Sequence, residues 1–137
     1  MAKSNRTAKI TFNAETGKFN DAIKKSNDEI GKLTAELKLN ATQMKGVGAS
    51  VEALEEKHGL LEKQLKASQD KTEALTQKLN SAKSIFGENS SEVIKLERQL
   101  ANAQNAEEKL KQAINACNNV IEEQKPLLIE QIQQQSN

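Results

Sequence analysis

His58 and Cys117 are the residues best suited to chemistry, being the only histidine and the only cysteine in the chain. A thiol activated by an imidazole is a standard nucleophile, so a Cys–His dyad is the first chemistry to weigh. A metal is the second, but with Asn40 as the only nearby helper the ligand set is incomplete. Ser68, Thr72 and Glu107 form a third polar group. Each has a plainer explanation, visible once the residues are placed on their elements. All six fall on seam positions of one long heptad pattern, where polar residues set register rather than perform reactions. A slender helical assembly also offers no pocket for a substrate. The expectation is therefore no catalytic, cofactor-binding or metal site, and a polar seam layer of Asn40, His58 and Cys117.

The pattern carrying these residues starts at Phe19. With Ile23 at position a, the a sites run Ile30, Leu37, Met44, Val51, His58, Leu65, and the d sites Leu33, Asn40, Val47, Leu54, Leu61. The phase holds through Leu79, Phe86, Val93, Leu100, Leu110, Cys117 and Ile121. Most seam sites are apolar, and a repeat this long indicates coiled-coil packing. Composition agrees. The chain has no Trp or Tyr and only three Phe, so burial must come from aliphatic side chains.

Two stretches interrupt helix chemistry without shifting the phase. "KGVGAS" carries Gly46 and Gly48, with Ser50 placed to cap the next helix; "FGENSSE" carries Gly87, then Ser90 or Ser91 as a cap. Pro126 is expected to end or kink the third helix. "KITFNA", residues 9–14, alternates weakly and reads as a short strand or extended arm. The expected organisation is an arm over 1–16, a coiled-coil domain over 17–125 with helices near 17–45, 50–84 and 90–125, and a tail over 126–137.

An unbroken phase fits a continuous rod as well as a folded chain, so cross-seam pairing must decide. Folding about residues 87 and 88 pairs Leu79 with Leu96, Leu75 with Leu100, Leu61 with Ile114 and Leu54 with Ile121. The exceptions also pair: Ser68 with Glu107, His58 with Cys117. Folding about Ala49 pairs Phe19 with Leu79, Ile23 with Leu75, Ser26 with Thr72 and Asn40 with His58. Matched exceptions avoid burying polar groups against apolar ones. These pairings predict an all-α antiparallel coiled-coil hairpin or three-helix bundle, turning at Gly46, Gly48 and Gly87. The alternative is a long continuous coiled-coil rod, dimerised in parallel. It would place Glu107 against Glu107 and keep both glycine stretches helical.

Charged residues make up 28% of the chain and the net charge is +1. That balance gives no general pull toward nucleic acid or anionic membrane. No apolar run approaches the roughly 20 residues of a membrane span. The N-terminus lacks the apolar region of a secretory signal, so a cytoplasmic origin is expected. No nucleic-acid, membrane or small-molecule partner is expected.

Three stretches together resemble the N-terminal coiled-coil region of tail tape measure proteins of long-tailed bacteriophages and prophages: "ITFNAETGKFNDAIKKSNDEIGKLTAELKL", "VEALEEKHGLLEKQLKASQDKTEALTQKL" and "FGENSSEVIKLERQLANAQ". The resemblance covers roughly residues 8–124. Where relatives often continue Leu-Lys-Leu with Asp-Pro, this chain has Asn40-Ala41. Its length also departs from the family, reaching about 200 Å even if wholly helical at ~1.5 Å per residue. The family's extensive Gly/Ala-rich apolar segments are missing too. The resemblance therefore implies a fragment, a truncated prophage product or a short tail component. It implies a non-enzymatic structural role in tail assembly, with tail-tube subunits, assembly chaperones or further copies of itself as partners. Its setting would be the host bacterial cytoplasm, then the virion tail. The competing expectation is a stand-alone coiled-coil adaptor, binding a partner helix through exposed seam or tail residues such as Leu127, Leu128 and Ile129.

Overall fold

Two glycines with left-handed backbone break an otherwise continuous helical chain. Gly48 has φ +89° and Gly87 has φ +91°. The computed structural model describes residues 5–136. It contains three helices: α1 (Asn5–Val47), α2 (Val51–Phe86) and α3 (Ser91–Ser136). Only glycine takes such φ values without a Cβ penalty, so the chain reverses where the two residues stand. Gly46 differs from them and remains inside α1. Serines restart the helices. Ser50 Oγ accepts from Ala53 N–H at 3.1 Å, and Ser90 Oγ accepts from Val93 N–H at 3.2 Å. The Gly87 N–H donates to Lys83 O at 3.1 Å and so occupies one of the last free carbonyls of α2.

The helices pack α1 on α2 and α2 on α3. Thr34 meets Gln64 and Phe12 meets Phe86 across the first pair, so α1 and α2 are antiparallel. Leu54 meets Cys117 and Glu55 meets Lys125 across the second, so α3 runs back along α2. Among the described residues, no Cα of α1 comes within 8 Å of α3. The fold is an all-α double hairpin centred on α2, not a continuous rod. Side chains of all three helices still meet over α2, in two clusters. One contains Phe12, Leu75, Leu79, Ala82, Val93 and Leu96, with Ile23 and Leu100 against it. The other contains Leu54, Leu61, Cys117 and Ile121, with Leu37, Met44 and Ile114 against it. The expected partners Leu75/Leu100, Leu79/Leu96, Leu61/Ile114 and Leu54/Ile121 thus share clusters. Between the clusters, Ser68 and Ser26 are buried, and Thr72 returns its hydroxyl to Ser68 O at 3.0 Å.

Two further expectations are corrected. The extended arm over 9–14 is helical, because α1 begins at Asn5. A lone strand has no partner for its backbone, whereas a helix satisfies its own. The helical spacing of Ala8, Phe12 and Thr16 gives these first turns a buried face. Phe12 stacks edge-on against Phe86 at 5.2 Å, and Thr16 Oγ1 donates to Phe12 O at 2.6 Å. Phe12/Phe86 is the α1–α2 register carried one heptad outward from the expected Phe19/Leu79 pair. Phe19 itself is half-buried, beside a groove lined by Ala67 and Ala74.

Pro126 does not end α3, which continues to Ser136. Proline removes the N–H that would bond Glu122 O and crowds that carbonyl, but Glu122 is exposed, where the carbonyl can tilt out to water. The Leu, Glu and Gln residues beyond it are strong helix formers. The side chains of Leu127, Leu128 and Ile129 lie outside the described residues. No described helix is long and apolar enough to cross a membrane.

Candidate functional site

The polar seam residues converge on the first turns of α2. Asn40 is 1% exposed, and its Nδ2 donates to Ala53 O at 3.0 Å. Cys117 is 4% exposed, and its thiol donates to Leu54 O at 3.3 Å. A helical carbonyl points toward the N–H four residues on. These two acceptors therefore lie at the level of Lys57 and His58. One polar group from α1 and one from α3 grip successive carbonyls of the central helix.

His58 shares that level but takes no part in the grip. It is half-buried, and its Nδ1 sits 2.6 Å from Glu62 Oε1, one turn along the same helix. The thiol and the imidazole each have a different partner, so the arrangement lacks the Cys–His hydrogen bond of an activated nucleophile. Burial pushes the Cys117 thiol up from its ordinary pKa, only partly opposed by Lys57. That disfavours the thiolate, as in structural cysteines. Among the described residues, no three His, Cys, Asp or Glu side chains are grouped to hold a metal ion.

The raised thiol pKa has a consequence for stability. Below the unfolded-state pKa the thiol is neutral in both states, and its burial contributes fully. Above it the unfolded chain ionises first, so stability falls as pH rises toward the folded-state value. Urea midpoints of the wild type should fall between about pH 8 and 10. Cys117→Ala should show a flatter profile over that range. Parallel profiles would contradict the raised pKa.

Asn40 carries an imbalance of its own. Its Oδ1 is buried with no hydrogen-bond partner among the described residues. An unpartnered buried acceptor costs about 1–3 kcal/mol, more than one neutral hydrogen bond returns. A polar residue kept in a seam at such a cost sets register. Asn40→Leu should therefore raise stability by about 1 kcal/mol in urea denaturation. A fall would show that the Ala53 bond outweighs the unpartnered oxygen.

The heptad reading does not anticipate the second face of α2. Gln64, Ala67 and Ala74 are buried although they lie off the a and d positions. Gln64 Nε2 donates to Thr34 Oγ1 at 2.9 Å and to Ile30 O at 3.4 Å. A central helix needs two seams, one for each neighbour. The signal was present as Ala53, Leu60, Ala67, Ala74 and Ser81, small or aliphatic residues seven apart. Two heptads on from Gln64, Lys78 lies 5.8 Å from the centre of the Phe12 ring, and burial and then Lys95 lower its pKa.

Compared with protein-family models, curated proteins and solved structures, the chain matches none.

Proposed function

We propose that this chain is a non-enzymatic structural protein of phage or prophage tail assembly, acting through helix–helix association. The observation carrying the reading is the double seam of α2. Its a/d residues Leu54, Leu61, Leu75 and Leu79 sit in clusters shared by both neighbours, and Gln64 adds a further contact to α1. Each helix spans about 54–69 Å at ~1.5 Å per residue, so the fold presents long helical surfaces rather than an enclosed pocket. Surfaces of this kind suit partners that bind along a helix, as tail-tube subunits or an assembly chaperone would. The resemblance over roughly residues 8–124 suggests the tail setting, and exposed apolar residues of α3 such as Ile94 and Val120 offer a surface for association.

The test is co-expression with tail-tube and assembly-chaperone proteins of long-tailed phages. Co-elution of the chain with one of them, lost when exposed Ile94 or Val120 is replaced by Glu, is the expected result. Separate elution from each would overturn the tail reading. A stand-alone adaptor would instead recover a partner from outside the tail genes.

A further inference from the structure

We infer that α1 exchanges between two copies of this chain, giving a dimer in which the Gly48 turn straightens and each α1 packs on the other copy's α2. Three independent features converge on it. The first is the quality of the α1 dock. Of the α1 side chains buried in the fold, Ala8, Phe12 and Leu33 are apolar, while Thr16, Ser26 and Asn40 are polar. Helix α3 instead buries Val93, Leu96, Ala103, Cys117 and Ile121, all apolar. Helix α1 is therefore the element held with least apolar burial, and the one that opens first.

The second feature is the hinge. Only Gly48, Ala49 and Ser50 separate α1 from α2, and all three are exposed. A short hinge favours exchange, because the exchanged dimer rebuilds every contact of the closed chain and changes only the connection. The Gly48 N–H already donates to Met44 O at 2.8 Å, continuing the α1 hydrogen-bond pattern past its last residue. The Gly87 N–H makes the matching bond to Lys83 O, but the surroundings of that turn differ. There Ile85, Phe86 and Val93 pack with the core, and Phe12 covers Phe86.

The third feature is phase. Met44 and Val51 are seven residues apart, as are Val47 and Leu54, so the heptad crosses the turn without a step. A straightened α1–α2 helix keeps one continuous apolar stripe through the crossing point of two antiparallel copies. In that arrangement Gly46 and Gly48 of both copies lie at the twofold axis, where missing side chains let backbones approach. The partner is a second copy of this chain, chosen because α2's Gln64/Ala67/Ala74 face is already complementary to α1. The inference stands apart from the tail reading: it concerns the chain alone.

Paired cysteines at Thr34 and Gln64 in a Cys117→Ala background provide the readout, since these side chains already touch. Differently tagged full-length chains are unfolded together, refolded at low and at high concentration, and oxidised. Closed chains form the disulfide within one copy, and exchanged chains form it between copies. The intermolecular share should rise with concentration. Gly48→Ala should raise it further. A Cβ at Gly48 meets nothing within 4 Å, so the change acts only on the left-handed backbone and on helix propensity. The expected effect is about tenfold per hinge, or roughly 100-fold in the dimer's dissociation constant. Inserting Gly-Ser-Gly after Ala49 relaxes the turn without touching a seam and should return the disulfide to within one copy. Disulfides that stay within one copy at every concentration, with and without Gly48→Ala, overturn the inference. So does an intermolecular share that the insertion leaves unchanged. The insertion variant gives the answer even if Gly48→Ala does not fold.

Discussion

Leu75→Ala should lower the unfolding free energy by about 3 kcal/mol, within the range for leucines truncated in well-packed cores. Leu75 is 3% exposed and belongs to the cluster where all three helices meet. Ile23 of α1 and Leu100 of α3 pack against the same cluster, so the cavity would be walled by three helices. None can move in to fill it without losing contact with another, and the cost of a cavity rises with the volume that stays empty. For a domain of this size the loss corresponds to a melting-temperature drop of roughly 10 °C. Half-buried Leu65, at the polar waist, is the control, and its truncation should cost distinctly less. Urea denaturation checks both. A Leu75→Ala loss under about 1 kcal/mol would mean that this three-helix junction is not the centre of the fold.

Phe12→Ala should release the first turns of α1 at a local cost of about 3 kcal/mol. The ring is 9% exposed, lies edge-on against Phe86 and sits beneath the Lys78 ammonium. Its loss removes apolar burial, an aromatic pair and a cation–π contact together. The effect should stay local. Ahead of Leu33, the α1 face towards α2 holds buried Thr16 and Ser26 and half-buried Ile23, so the N-terminal turns can fray without unfolding α2 and α3. Amide exchange should show lost protection before about residue 20, with that of the α2–α3 hairpin unchanged. An extended arm would give no change on truncating Phe12, so the same measurement distinguishes the helix from the strand expected at 9–14.

These two residues mark different limits of what the sequence reveals. Leu75 was legible because a heptad seam is periodic, and the register that pairs it with Leu100 places both in one cluster of the fold. Phe12 was misread because two apolar residues two apart fit a strand locally. The helical spacing of Ala8, Phe12 and Thr16 gains meaning only when Phe86 is there to cover it. The second seam of α2 was hidden for a related reason. Ala67 and Ala74 are too small to stand out as a hydrophobic stripe, and Gln64 counts as surface until Thr34 and Ile30 O are placed beside it.

The sequence by itself determined a helical chain, the aliphatic heptad seam, the glycine interruptions at 46–48 and 87 and the serines placed to cap the helices after them. These arise from local chemistry: seven-residue periodicity, the freedom of glycine at positive φ, and a hydroxyl that satisfies a free N–H. Only the tertiary structure decided that α1 and α3 lie on two faces of α2 without close backbone approach. It also decided that Asn40 and Cys117 grip adjacent α2 carbonyls while His58 turns to Glu62, and that Pro126 lies within a helix. Each of those outcomes depends on which partner a polar atom or an exposed carbonyl finds across space, and neither periodicity nor propensity carries that information.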